Sequence, residues 1–446
     1  MNSLIEIGLT ISIRTKSNQS QASSSSSTWQ DDTDFEKEFD LAITLDLDMV
    51  MRYFNGNRYM TEFIKKYQSM DKKYMHQLLD GSYLEERLFK FGLTCTHEHL
   101  CHSFIFDPDD STYVQNNVFS EDQIDELKSI NPVTFPEIDD DTVSYLMQFA
   151  NVTTAEDLRK ALYQNSDYNM NYNKDQHQIK DWIRRSLDHL LLVYESIDDF
   201  SIEHSEQWHQ SRIWLPLELL FERISGSKSL RGESCSLSTC ERKNLQRTVP
   251  STDKLQTKKM GTRVDMLVTV NNLEFLCEED KANDDNTKII EERHFKIGKE
   301  MKDILWALFR RCDYNRTKMK NIVSLGIATF KFKAFFDVCD FKLGYVARIT
   351  RSSEFLVPSH ISELSKLLPI LSMMLVFRLM ILENIEIITE TPSEPDIRSS
   401  LKRPHSPKKD DGFISSIKRN VNATTPDDIT NNSRFKSIFK KGKDKK

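Results

Sequence analysis

Glycine and proline are scarce, at 12 each in 446 residues, which excludes collagen-like and glycine-rich repetitive proteins. The seven cysteines are too few and too irregularly spaced for a disulfide-stabilised fold. The first residues include an acidic side chain and have no basic segment before their short apolar run, which is not typical of a secretory signal. We therefore expect a reduced, intracellular protein.

Phosphate-binding loops are missing as well, because the chain contains neither G-x-x-x-x-G-K-[ST] nor G-x-G-x-x-G. No nucleotide cofactor is expected. The most apolar run, residues 367–382, is interrupted by Pro369 and Arg378, whereas a membrane helix needs about twenty apolar residues. The run therefore predicts a buried packing helix and no membrane partner.

Charge is divided unevenly along the chain. Residues 398–446 hold fourteen Lys and Arg against five Asp and Glu, a net charge of +9, which leaves −16 for residues 1–397. Basic clusters in a polar tail, such as Lys402-Arg403 and Lys440-Lys441, are typical of nuclear import signals or loose nucleic-acid contacts. A solubilising tail is the alternative, and we expect nuclear localisation.

The residues that are abundant predict a mixed α/β (α+β) protein with disordered termini. Hydrophobic residues make up 38% of the chain and include 26 Phe, enough to fill a core. The expected organisation is a disordered arm over residues 1–35, a mainly helical accessory domain over 36–200, an α/β domain over 201–390 and a disordered basic tail over 391–446. The accessory domain would offer a surface for a protein partner.

Local patterns predict individual elements outside the α/β domain. The Ser-x-x-Gln pattern at residues 120–123 predicts a capped helix start. The apolar stripe over 179–197 predicts a helix, and residues 93–106 predict a strand. In a strand, the Cys and His residues at every second position from Cys95 to Cys101 would spread over about 20 Å, too far for one zinc ion.

The most informative segment is residues 261–282, which read G-T-R-V-D-M-L-V-T-V-N-N-L-E-F-L-C-E-E-D-K-A. Two apolar, strand-like runs flank the Asn pair at 271–272. Because asparagine tolerates positive φ, this pair predicts a tight hairpin. A helix over 291–311 and strands near 322–330 and 344–349 are expected to follow.

The hairpin carries acids where core strands rarely have them. Asp265 lies within the first strand, and Glu278, Glu279 and Lys281 end the second. Carboxylates that meet across a hairpin form a natural site for Mg²⁺ or Mn²⁺. A neighbouring lysine can orient an attacking water and offset phosphate charge. This combination suits phosphodiester hydrolysis.

Asp265 on one strand and Glu279-Asp280-Lys281 on the next resemble the PD-(D/E)XK nuclease-like superfamily, over about residues 213–350. The resemblance implies a restriction-endonuclease-like core, which is a mixed sheet flanked by helices, and metal-dependent cleavage of DNA or RNA. It assigns Asp265 and Glu279 to the metal and Lys281 to catalysis.

The same pattern implies a supporting acid on a preceding helix. Glu233 is our choice for this catalytic role. Glu218 and Glu222, one helical turn apart, are the alternatives, and both are equally well explained as solvent-facing residues.

The register of the hairpin decides which glutamate joins the site. A two-residue turn would set Asp265 opposite Glu278 and turn Lys281 to the other face unless a bulge intervenes. A three-residue loop would set Asp265 opposite Glu279, with Lys281 alongside. Both Glu278 and Glu279 therefore stay in the predicted metal site.

Two functions remain open, and with them whether the protein is an enzyme. The first is a metal-dependent nuclease, in which basic side chains near the site contact nucleic-acid phosphates: Arg242, Lys243, Arg247, Lys288, Lys296, Lys299 and Lys302. The second is a non-catalytic intracellular interaction protein built on a degenerate nuclease-like scaffold, in which these residues are ordinary surface charges.

Overall fold

The computed structural model describes residues 58–164, 171–196, 200, 202–245, 247, 257–281, 289–390 and 412–422. The predicted arm over 1–35 lies outside these residues, and so does most of the predicted tail.

Eight strands are present in the described residues. They are β1 Ile105–Phe106, β2 Ser227–Cys235, β3 Arg263–Val270, β4 Leu273–Lys281, β5 Ser324–Phe330, β6 Lys333–Leu343, β7 Val346–Arg351 and β8 Phe355–Leu356.

Helices surround these strands. The α-helices are α1 Arg58–Gln68, α2 Leu84–Thr94, α3 Thr112–Gln115, α4 Glu121–Ser129, α5 Asp140–Met147, α6 Ala155–Gln164, α7 Lys174–Glu195, α8 Glu206–His209, α9 Leu215–Glu218, α10 Leu237–Asn244, α11 Gly298–Arg311, α12 Arg316–Asn321, α13 Leu368–Thr389 and α14 Gly412–Arg419. Short 3₁₀ helices occur at Lys72–Tyr74, Leu100–Ser103, Phe221–Arg223 and Ile361–Leu367, and π-helices at Gln210–Trp214 and Ile289–Ile297.

The strands form one mixed sheet in the order β1-β7-β6-β5-β4-β3-β2, with β8 paired to β6. β4 and β5 run parallel, so the chain must cross over between them, and α11 lies in that crossover. β1 joins the far edge in parallel with β7. The predicted mixed α/β class is confirmed.

The β3–β4 hairpin combines a two-residue turn with a bulge. Asn271 and Asn272 both have positive φ, which matches the expected turn. Val270 pairs with Leu273, but beyond Thr269 the register slips so that Val268 pairs with Leu276. Phe275 is the extra residue on β4. The slip carries Asp265 to the position opposite Glu279.

A second bulge lies on the other side of β3. On β2, Arg231 pairs with Met266 and Ser234 with Val264, so Gly232 and Glu233 together stand opposite Asp265. Gly232 has a φ of +86°, a conformation that glycine adopts without strain. The backbone is therefore irregular on both sides of Asp265.

Core packing continues across residue 200, where the boundary of the accessory domain was predicted. One core cluster includes side chains from residues 100–193 and from 213–417. A second joins Phe104 and Phe106 of the helical region to Leu343 and Val346 of the sheet. That residues 36–200 and residues 201–390 are separate domains stays a prediction.

Residues 368–382 of the apolar segment lie within α13, which packs inside the protein as predicted, and Leu367 ends the preceding 3₁₀ helix. In the described residues, the continuous helical segment 361–389 is the one stretch long and apolar enough to cross a membrane. Because 72% of its most apolar 18-residue stretch is buried, the segment is typical of the core helix of a folded protein.

Two further predictions differ from the structure. The strand predicted over 93–106 is wrong: α2 ends at Thr94, a 3₁₀ helix spans Leu100–Ser103, and the strand is confined to β1. Within the tail predicted to be disordered, α14 is an ordered helix with Phe413 and Ile417 buried. The capped helix start at Ser120 is confirmed, with both reciprocal hydrogen bonds of the capping box.

Candidate active site at the carboxyl end of β4

Asp265, Glu279 and Lys281 lie together where the hairpin pairing ends. The Lys281 Nζ atom lies 3.0 Å from Asp265 Oδ2 and 3.6 Å from Glu279 Oε2. The backbone N–H of Asp280 also donates to Asp265 Oδ2, at 2.8 Å. Because the β3–β4 ladder stops at Met266 and Glu278, this carboxylate replaces the strand carbonyl that would otherwise accept that N–H. Asp265 thus has a structural role besides any chemical one.

Glu279 is buried, with 1% of its side chain exposed, and a second lysine reaches it. Lys296, in the π-helix Ile289–Ile297, places its Nζ 2.7 Å from Glu279 Oε2. Two carboxylates and two ammonium groups therefore alternate along this face, and the cations offset the cost of burying Glu279.

The other face of β4 holds a second acidic group. Side chains alternate along a strand, so Glu278 and Asp280 point away from Glu279 and Lys281. Arg231 of β2 lies among them: its Nη1 is 3.2 Å from Asp280 Oδ2 and its Nη2 is 3.7 Å from Glu278 Oε2.

Two neighbours complete the contacts of this face. Arg231 also pairs with Glu218 of α9, and Thr329 donates to Asp280. Lys296 contacts Glu279, whereas Glu218 contacts Arg231, which lies on the face of Glu278 and Asp280. The helical segments that carry Glu218 and Lys296 consequently lie on opposite faces of the sheet.

Burial sets the protonation of Glu278. Removal from water raises the pKa of this carboxyl well above its ordinary value, and Asp280 raises it further, while the Arg231 guanidinium acts in the opposite direction. A carboxyl whose pKa is raised in this way is a weaker ligand for a hard cation, because the proton competes with the metal. The geometry brings together Asp265, Glu279 and Lys281, and it separates Glu278 from them.

The supporting acids are distributed differently from the expectation. The backbone of Glu233 lies in the β2 bulge opposite Asp265, but its side chain is outside what the structure describes. Glu218 is buried with 2% exposure and paired with Arg231, so it is not a solvent-facing residue. Glu222 is exposed.

Sequence reasoning missed the position of Arg231, which lies in a polar stretch where no strand was predicted. The only signal was the R-G-E-S sequence, whose glycine marks the bulge.

Three of the seven basic residues proposed as phosphate contacts, Arg242, Lys299 and Lys302, have structural partners. Arg242 donates to Asp303 Oδ2 and to the carbonyl of Asn422, both at 2.8 Å. Lys299 and Lys302 are each 1% exposed, and Lys299 pairs with Glu98 at 2.6 Å. Lys296 is the member of the set that contacts the site, while Lys288 is outside the described residues.

A separate group of metal-binding residue types lies far from the hairpin in sequence. Ligand atoms of Cys95, Cys101 and His102 lie within 4.8 Å of one another, the one such group in the described part of the chain. The helical turn brings together residues that a strand would have spread apart. Both His102 nitrogens are already hydrogen-bonded, Nδ1 from the His99 N–H at 2.8 Å and Nε2 with the Gly92 carbonyl at 2.8 Å. A metal ion would have to displace one of these bonds.

Comparison of the chain with protein-family models, with curated proteins and with solved structures finds no match to any of them.

Proposed function

We propose that the protein is a metal-dependent hydrolase of phosphodiester bonds in nucleic acid, with a core of the PD-(D/E)XK nuclease-like type. The observation that carries the proposal is the convergence of Asp265, Glu279 and Lys281 at the end of β4. The bulge at Phe275 provides the register that the motif requires without the three-residue loop. A mixed sheet with helical segments on both faces of β4 supports the restriction-endonuclease-like core.

The residues present fit a hard divalent cation. The Lys281 ammonium lies within 3.6 Å of both carboxylates, so Asp265 and Glu279 are close enough to share one cation. Asp265 and Glu279 offer the oxygen ligands that Mg²⁺ and Mn²⁺ prefer. The bound ion would polarise the phosphodiester and lower the pKa of the attacking water.

Lys281 and Lys296 would act on the substrate rather than on the metal. Once a cation neutralises Asp265 and Glu279, the two ammonium groups are released from ion pairing and can bind phosphate oxygens. Lys281, on the same face as the acids, would also orient the nucleophilic water.

Cleavage assays with Mg²⁺ or Mn²⁺ on single- and double-stranded DNA and RNA test the proposal. Asp265→Asn keeps an oxygen acceptor for the Asp280 N–H but removes the charge, and Lys281→Met keeps the chain length. We expect each to lower cleavage by about a hundredfold or more, because each removes a group acting at the reacting phosphate. Glu222→Gln, an exposed acid on a nearby segment, should cleave like the wild type.

A second function is favoured by one observation. Glu279 already has a lysine ammonium at 2.7 Å, so the face is electrically balanced without a metal. This arrangement suits the non-catalytic interaction protein. Wild-type protein that cleaves no substrate with either metal would favour that alternative. An Asp265→Asn variant with full activity would instead contradict the assignment of catalysis to this site.

A further inference from the structure

A basic pocket lies at the end of the sheet opposite to Lys281. Its volume is about 200 Å³, and it is formed by residues that follow α1, by α12, by the end of β6 and by Phe413 of α14. The eleven residues of β6 separate the pocket from the β5–β6 turn beside Lys281, a distance of about 33 Å at 3.3 Å per residue. The pocket is therefore a separate site, and ligand binding in it does not involve the residues of the proposed hydrolytic site.

The lining of the pocket is cationic. Arg316, Lys320 and Lys342 contribute charge to it, His76 lies beside them with its pKa lowered by burial, and no Asp or Glu lines the pocket. Neither Arg316 nor Lys320 forms an ion pair with a carboxylate of the described residues. The Nε2 atom of His76 is buried and has no hydrogen-bond partner there either. Like charges held together repel one another, so this pocket attracts an anion. The nearby carboxylate that acts on Lys342, Asp340, is itself paired with Arg348.

The Arg316 guanidinium is held in place by two aromatic rings. Its central carbon lies 4.7 Å from the centroid of Tyr74 and 4.4 Å from that of Phe413. Cation–π contacts on this scale limit the orientations of a planar guanidinium. A pre-oriented arginine fork binds two oxygens of one phosphate group with little further loss of conformational freedom.

The floor of the pocket brings no negative charge at neutral pH. Gly344 lies there with a φ of +55°, and a side chain at this position would collide with Glu85 and with the His76 backbone. Glu85 accepts the N–H groups of His76 and Tyr345 at 3.0 and 2.7 Å. Burial raises the pKa of Glu85 to about 8, so this acid is largely protonated at pH 7.

We propose that this pocket binds a diphosphate group, either as free pyrophosphate or as part of a small phosphorylated molecule. Arg316 supplies the bidentate contact, Lys320 and Lys342 supply charge, and His76 supplies a hydrogen bond from the side. The volume admits a diphosphate but not a folded macromolecule.

Isothermal titration of the full chain with pyrophosphate, inorganic phosphate and ADP, in EDTA to remove divalent metals, tests the proposal. We expect pyrophosphate to bind at least tenfold more tightly than phosphate. Tighter binding of ADP than of pyrophosphate would identify a nucleotide as the source of the diphosphate. The reverse order would identify the free ion.

Variants separate a built site from general electrostatic attraction. Arg316→Ala and Arg316→Lys should each weaken pyrophosphate binding at least tenfold, the second because it keeps the charge but loses the fork. Arg311→Ala removes an equally exposed charge just before α12 and should change binding less than twofold. Circular dichroism confirms that each variant is folded.

Absence of pyrophosphate and ADP binding would overturn the proposal. So would equal weakening by the Arg316 and Arg311 substitutions, or full binding by Arg316→Ala. Because no metal is present, these results are independent of whether the protein cleaves nucleic acid.

Discussion

Lys66 shows how an interior position changes the chemistry of a single side chain. It lies in α1 with 3% exposure, and its Nζ has no hydrogen-bond partner in the described structure. Burial lowers the pKa of Lys66 to about 7, with a further decrease from the charges of Lys299 and Arg242, against which Glu62 and Glu98 act. The folded protein therefore either holds an unpaired buried charge or releases a proton.

Replacing Lys66 by methionine is expected to stabilise the protein at pH 6 by about 1–4 kcal/mol, since it removes a buried, uncompensated charge. Below the folded pKa of about 7, Lys66 is charged in both states and its penalty is complete. Between pH 7 and 10.5 the unfolded chain binds more protons, so wild-type stability rises with pH and the advantage of the variant shrinks. Guanidinium-induced unfolding of the wild type and the variant at pH 6 and pH 9 measures the stabilisation and its decrease with rising pH.

Lys65→Met is the matched control, because Lys65 is the preceding residue of α1 and is exposed. Its free energy of unfolding should stay within about 0.5 kcal/mol of the wild type at both pH values. A destabilised Lys66→Met variant would contradict the argument and would point to a stabilising partner for the amine.

At the scale of elements, the hairpin shows what a sequence pattern can predict. The Asn pair at 271–272 specified the turn, and the apolar runs specified both strands. The register could not be derived, because the bulge at Phe275 depends on tertiary packing: Phe275 is a buried apolar residue like Leu276 and Cys277 and has no sequence signal of its own.

Two strands, β2 and β6, were not predicted from the sequence, and the reason in both cases is the polarity of their residues. β2 is polar because it is the last strand of the sheet order, where little burial is required of it. β6 contains Asp337 and Asp340, which are buried but paired with arginines of the adjacent strand β7. A pattern of alternating apolar residues does not detect a strand whose interior charges are neutralised by residues of a neighbouring strand.

α14 and the residues after it attach to the rest of the protein through buried amide groups. Asn420 is fully buried; its Oδ1 accepts from Lys302 Nζ at 3.1 Å, and its Nδ2 donates to the Tyr345 carbonyl at 2.7 Å. Ser, Pro and charged residues around α14 explain why the sequence suggested disorder there.

Asn420→Ala is expected to lower the free energy of unfolding by about 1–3 kcal/mol, because it leaves the Lys302 amine and the Tyr345 carbonyl with fewer partners. It should also increase hydrogen exchange over residues 412–422. Asn321→Ala, which removes an exposed amide with one local hydrogen bond, should have little effect on either. Similar losses in the two variants would show that α14 contributes little to stability.

At the scale of the whole molecule, buried arginines tie the helical first part of the chain to the sheet. Arg348 of β7 donates to the carbonyls of Leu127, Ile130 and Asn131 while pairing with Asp340 at 2.7 Å. Arg351 lies between Asp107 and Asp337, at 2.8 and 2.5 Å. Both guanidinium groups would lose partners if residues 58–164 were removed, and a buried charge without its partner costs about 3–5 kcal/mol.

A fragment of residues 201–446 is therefore expected not to fold by itself, although the sequence suggested a separate domain over 201–390. It would lack β1, the Asp107 carboxylate and the apolar side chains that cover Leu343 and Val346. We expect the full chain to unfold in one transition that is coincident by tryptophan fluorescence and far-ultraviolet circular dichroism, and the fragment to show no cooperative transition. Co-expression with residues 1–200 should restore a soluble complex.

A fragment that unfolds cooperatively at the same denaturant concentration as the full chain would instead show that the sheet is stable by itself and that the buried arginines find other partners.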